Sequence, residues 1–185
     1  MTTPRFILAL GDSLVAGYGL ATADSFPAQL EAALQIRFPG AHVLNAGVSG
    51  STTADVERRL PGILSGLTQR PDLAIVQVGP NDVLRQVPAT RTRAHLAQTL
   101  LRLQDCGIPV LLTTVAPPAI LRDQAAAYLG IHAELAAEYG ARVRPFFPPG
   151  VLGHPDMVLA DKVHPNAKAI AAVVAAMRDA VEAML

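Results

Sequence analysis

Apolar positions follow two rhythms along this chain. Short, largely apolar runs at residues 6–10, 73–78 and 109–115 read as strands, residues 42–45 as a short second strand, and residues 142–146 as a fifth, shorter one. Between them, apolar residues recur at helical spacing: Phe26, Leu30 and Leu34; then Leu96, Leu100 and Leu103; then Ile170, Val173, Val174, Met177 and Val181. The first of these helices is expected to start at Ser25, with the serine as cap and Pro27 in the first turn. The others are expected over about residues 53–60, interrupted at Pro61-Gly62, and over 92–106, 123–139 and 165–184. Strand and helix alternate with no internal repeat and no linker. The expected fold is α/β: one domain over residues 1–185, a three-layer α/β/α sandwich with a five-stranded parallel sheet in flavodoxin-like order, 2-1-3-4-5. The near-continuous run at 73–78 suits a parallel strand covered on both faces.

Composition narrows the function classes. A chain of 185 residues can bury most of its apolar surface. Lys+Arg and Asp+Glu balance at 15 each, so no global field steers nucleic acid or an acidic membrane. Few aromatic residues and no Trp argue against a base-stacking surface. The single cysteine, Cys106, excludes an internal disulfide and a cysteine zinc cage, and before Gly107 it reads as a small packing residue. The sequence runs from Met1-Thr2-Thr3-Pro4-Arg5 into the first strand without an apolar leader. The reading is a cytoplasmic protein, or a periplasmic or secreted one whose signal was removed. The apolar stretch 169–185 is broken by Arg178, Asp179 and Glu182, so it does not span a bilayer.

The chemistry sits where the strands end. Loops after parallel strands lie at the carboxyl edge of the sheet, where ligands bind. Those loops carry Ser13, Gly50, Asn81 and the pair Asp161/His164. Acyl transfer needs a hydroxyl nucleophile, a base, a carboxylate to orient the base, and donors for the oxyanion. Asp161 and His164 lie three residues apart in one loop, within reach of each other.

Four blocks stand in order: Gly11-Asp12-Ser13-Leu14; residues 45–50; Gly79-Pro80-Asn81-Asp82; and Asp161-Lys162-Val163-His164-Pro165. On these blocks the chain resembles the SGNH hydrolases, also called GDSL-type lipases/esterases, and within them the small bacterial arylesterases, acyl thioesterases and lysophospholipases. The resemblance implies that Ser13 is the nucleophile, His164 its base and Asp161 the orienting carboxylate. It implies an oxyanion hole of the Ser13 N–H, the Gly50 N–H and the Asn81 side-chain amide. Two positions depart from the family pattern. Pro80 stands where a second glycine is frequent, and Lys162 where glycine is common.

Other residues compete for these roles. His154-Pro155-Asp156 mimics a paired histidine and acid, whereas His42, His95 and His132 read as surface or packing residues. Asp12 and Asp82 read as turn and hydrogen-bonding residues. Gly47 shares a loop with Gly50, and either suits a turn with positive φ. The G-x-S-x-G elbow, H-E-x-x-H, a Walker loop and G-x-G-x-x-G are all absent, and no metal or cofactor is implied.

The loops expected to rim the site are apolar and rich in Pro: residues 83–88, 117–121 and 146–152. They suit an acyl chain or aryl group as well as they suit plain loop packing. Arg85 and Arg122 read as solvated charges that an anionic leaving group would meet. The expectation is a metal-independent serine esterase acting on a small-molecule aryl or short/medium acyl ester. A thioesterase or lysophospholipase with the same machinery is the alternative. A non-catalytic flavodoxin-like binding module is the reading from a different class.

Overall fold

In a computed structural model, which describes residues 4–185, successive apolar residues of the strands sort into two cores. Strand β1 (Phe6–Gly11) is buried along its whole length. Successive side chains in a strand point to opposite faces. Ile7 and Ala9 therefore join one cluster, and Leu8 and Leu10 the other. Strands β2 (His42–Gly47), β3 (Leu73–Gln77), β4 (Val110–Thr114) and β5 (Arg142–Pro145) complete the sheet. The order is β2-β1-β3-β4-β5, and every neighbouring pair is parallel. This is the expected five-stranded sheet. Strand β5 is exposed throughout, and its two arginines and Pro145 suit an edge that must not pair further.

Helices cover both faces. On one side, α2 (Phe26–Gln35) and α8 (Ala167–Glu182) bury Phe26, Leu30, Leu34, Ile170, Val173, Met177 and Val181. On the other, α3 (Thr53–Ser65), α5 (Ala89–Asp105) and α7 (Ile131–Glu138) bury Val56, Leu60, Leu96, Leu100, Leu103, Ile131 and Leu135. Full burial of each Leu or Ile contributes about 2–3 kcal/mol. Three short helices complete the set: α1 (Ser13–Ala16), α4 (Pro80–Leu84) and α6 (Arg122–Ala125). Among the described residues no helix is long and apolar enough to cross a membrane.

The structure corrects several expectations. Helix α3 continues through Pro61-Gly62 to Ser65. Both residues are exposed, so water can satisfy the carbonyl that Pro61 leaves without an N–H. The helix expected over 123–139 is broken. Short helical turns end at Tyr128, Leu129 is extended, and α7 starts afresh after Gly130, whose φ of 85° is left-handed. Residues 80–84 form a helical turn where a loop was expected, and Ser13 opens a turn of helix directly after β1. Ser25 precedes α2, but its hydroxyl donates to the Thr22 carbonyl and does not cap the helix. Cys106 is exposed, which excludes the packing role. The sequence reading of Met1-Thr2-Thr3 lies outside the described residues.

Candidate active site

Turns at four strand ends place the site. Asp12 caps α1: its Oδ1 accepts the Leu14 N–H at 2.9 Å. This fixes Ser13 as the first helical residue, where a backbone N–H has no partner within the helix. Among the described residues the N–H groups of Ser13 and Gly50 donate to no other group. Asp12 is 1% exposed, and burial pushes its carboxyl up to about 6, against the bond from Leu14 N–H.

Opposite α1 stands the loop before α8. His164 Nε2 lies 3.1 Å from Ser13 Oγ, and its Nδ1 lies 2.7 Å from Asp161 Oδ2. The other oxygen of Asp161 accepts the N–H groups of Val163 at 2.9 Å and His164 at 3.0 Å. These bonds to the His164 and Val163 backbone, with the His164 ring, lower the Asp161 carboxyl to about 2. The Asp161/His164 pair therefore orients itself within four residues of chain. The Tyr18 ring lies against His164, with centroids 4.4 Å apart. Lys162 is exposed with φ 58°, the left-handed region that favours glycine.

The donor side is built differently. Asn81 Nδ2 donates to the Ser51 carbonyl at 3.0 Å and stands 3.4 Å from Asp12 Oδ2. An amide nitrogen carries two protons: the short bond to Ser51 occupies one, and the long, weak bond to Asp12 is the one an oxyanion would displace. Gly50 has φ 78°. Gly47 is there for a different reason: a Cβ would meet Ala16 N of α1 at 2.3 Å. Behind this edge Arg59 donates to the carbonyls of Gly11 at 2.6 Å and Ala46 at 3.0 Å, and to Ser51 Oγ at 2.7 Å. One side chain thus ties the ends of β1 and β2 to the Gly50–Ser51 turn. Asp82 is fully buried and accepts Thr53 N–H at 2.9 Å, Thr53 Oγ1 at 2.6 Å and Thr92 Oγ1 at 3.1 Å. Both Asp12 and Asp82 thus have the hydrogen-bonding roles expected of them.

The rival histidines stand elsewhere. His154 Nδ1 accepts Asp156 N–H on an exposed turn, while His42 and His95 contact Glu31 and Glu57. His132 departs from the surface or packing reading: it lines the cleft beside Ser13 and faces Val78 O at 2.9 Å. Sequence reasoning missed Arg59, Tyr18 and the partners of Asp82. One signal existed. Arg59 interrupts an apolar stripe, Val56, Leu60 and Ile63, on the face α3 turns inward.

A cleft of about 520 Å³ opens beside Ser13 and His164. Val83, Leu84, Pro117, Pro118, Leu121, Phe147 and Leu152 line it, as the apolar-rim reading expected. Phe146 and Val151 are buried, and Val87, Pro88, Ala119 and Ile120 are not part of its lining. Its size falls within the roughly 300–1,000 Å³ of small-molecule sites. Among the described residues no three His, Cys, Asp or Glu side chains cluster as metal ligands.

A model of the GDSL-like lipase/acylhydrolase family matches residues 9–172. An arylesterase of Vibrio mimicus is 32% identical over 164 residues, covering 88% of this chain and 81% of that protein. Thioesterase 1/protease 1/lysophospholipase L1 of Escherichia coli K12 is 33% identical over 161 residues, covering 86% and 75%. Among solved structures, AlinE4, an SGNH-hydrolase family esterase, aligns with TM-score 0.80 and 41% identity over 100% of this chain and 98% of that one. With residues 9–172 matched and the whole fold shared, the chain belongs to the GDSL-like lipase/acylhydrolase family, the SGNH hydrolases, and is a carboxylic ester hydrolase.

Proposed function

We propose that this protein hydrolyses aryl or short/medium acyl esters through an acyl-Ser13 intermediate. The observation that carries the reading is the continuous relay from Asp161 Oδ2 through the two His164 nitrogens to Ser13 Oγ, at 2.7 and 3.1 Å. Ser13 Oγ attacks the substrate carbonyl as its proton passes to His164 Nε2. The N–H groups of Ser13 and Gly50 and the Asn81 amide receive the oxyanion. His164 then gives its proton to the leaving oxygen, and the C–O bond breaks. Water repeats the sequence on the acyl-enzyme and releases the acid. Asp161 holds the imidazole tautomer throughout.

The acyl group occupies the apolar cleft. Thioester and lysophospholipid hydrolysis form the second reading, favoured by the name of the Escherichia coli relative. Hydrolysis of p-nitrophenyl esters from acetate to palmitate tests both. Ser13→Ala and His164→Ala should each lower kcat by about 10⁴-fold or more, and a fluorophosphonate should label wild type but not Ser13→Ala. A short-chain optimum supports the arylesterase reading, and a longer one supports the second. Wild type inert on every ester and unlabelled would overturn the acyl-Ser13 mechanism.

A further inference from the structure

Three side chains spaced four residues apart on the crossover from β4 to β5, the last of them in α7, donate to one segment. Gln124 Nε2 donates to the Val83 carbonyl, Tyr128 Oη donates to the Val87 carbonyl, and His132 Nε2 lies 2.9 Å from the Val78 carbonyl. A carbonyl only accepts, so the His132 contact requires the proton on Nε2. Burial lowers the His132 pKa, which suits that neutral tautomer. The three acceptors lie before, within and after α4, the five-residue turn that carries Asn81.

Such a turn does not hold itself. One helical turn lacks the cooperative bonding of a longer helix. Both flanks of α4 are left-handed, Gly79 at φ 125° and Gln86 at φ 54°, and backbone in that region persists only where its surroundings hold it. The His132 ring also seats directly on Gly79, where a Cβ would stand 3.1 Å from Cε1. On the opposite side α4 is held by the Asp82 side chain and by the Asn81 amide itself, on the Ser51 carbonyl.

We propose that Gln124, Tyr128 and His132 are positioning residues for the Asn81 amide. They fix the height and tilt of α4 over Ser13, and so the aim of the third oxyanion donor. Tyr128 and His132 also line the cleft, so an acyl chain seated there touches the residues that aim Asn81. Acyl binding is thereby linked to transition-state stabilisation as well as to affinity.

This rests on Asn81 as an oxyanion donor, and the test separates the two ideas. Tyr128→Phe keeps the ring and removes the donor; His132→Phe does the same at the other end, and His132→Gln restores an amide donor. Each is made in wild type and in Asn81→Ala, with kcat and KM measured on one p-nitrophenyl ester. Displacing a donor slightly costs up to about 10²-fold in rate, so Tyr128→Phe and His132→Phe should each lower kcat about tenfold. KM should stay within about twofold, and His132→Gln should recover most of the loss. In Asn81→Ala the same changes should move kcat less than about twofold, because their target is gone. Equal losses in both backgrounds, or an unchanged kcat in folded Tyr128→Phe, would overturn the proposal alone. An unchanged kcat in Asn81→Ala itself would overturn the oxyanion reading and this proposal with it. If Tyr128→Phe does not fold, the His132 pair completes the same cycle.

Discussion

The two sides of the site are held in opposite ways. The Asp161–His164 loop is local and exposed: three hydrogen bonds to Asp161, all from residues within three positions of it, set the imidazole. The donor side is distant and buried: Arg59, Asp82 and Asn81 tie together segments up to 69 residues apart where they cross between loops. A general base must accept and release protons and can sit on a loop that water reaches. Oxyanion donors must be aimed before charge develops, and a fixed, dry framework does that best. The difference predicts that the base side can be altered with little loss of fold, whereas the donor side cannot.

Arg59→Met should break the comparison most severely. It strips the guanidinium from two carbonyls and a hydroxyl at the ends of β1 and β2. Burial already lowers the Arg59 pKa, so its charge is held there by these acceptors against a solvation cost. Leaving them unmatched should cost about 4 kcal/mol of stability. Urea unfolding measures this directly. His164→Ala, measured beside it, should leave the midpoint nearly in place while abolishing turnover. Equal midpoint shifts for the two variants would erase the distinction.

Asp12→Asn sharpens the same contrast by pH. The buried carboxyl titrates at about 6 in the folded protein and near 3.8 when unfolded. Between those values the folded state holds a proton the unfolded chain has released, so stability falls as pH rises from about 4 to 6 and stays lower above. The difference amounts to about 3 kcal/mol. Asparagine keeps the oxygen that accepts Leu14 N–H and has no charge to bury. The variant should therefore lose the decline and exceed wild type in stability at pH 7, by denaturant unfolding at pH 4 and 7. A wild-type curve that is flat across this window would show that Asp12 is solvated after all. Asp161, with its carboxyl lowered to about 2, acts in the reverse direction: its contribution is present above about 4 and lost on acidification toward 2.

The same division governs what could be read from residue order. Strand runs, helix stripes and the Asp161/His164 spacing are local patterns, and the parallel sheet follows from their alternation. Arg59, Thr53 and Thr92 were illegible because hydrogen bonds across 10 to 48 residues leave no periodic trace. The break at Gly130 was overlooked because the apolar stripe resumes at Ile131 and Leu135 on the same side of the sheet. Gln124, Tyr128 and His132 look like an ordinary helix face, and only the fold sets the carbonyls of α4 opposite them.

The smallest effect belongs to Lys162, on the exposed side. Its φ of 58° puts a side chain where Cβ crowds the following carbonyl, a cost of about 1–2 kcal/mol that glycine does not bear. Glycine in turn gives the unfolded chain more freedom, which removes about 0.4–1 kcal/mol of the gain. Lys162→Gly should therefore stabilise the fold by about 0.5–1 kcal/mol, a rise in Tm of roughly 2 °C for a chain of this size. Lys162 makes no ion pair with Asp161 among the described residues, so kcat/KM on a neutral ester should stay within about twofold. If kcat/KM instead moves with salt concentration in wild type and not in Lys162→Gly, the lysine charge reaches the Asp161/His164 pair through solvent, and the exposed loop is less self-contained than its hydrogen bonds imply.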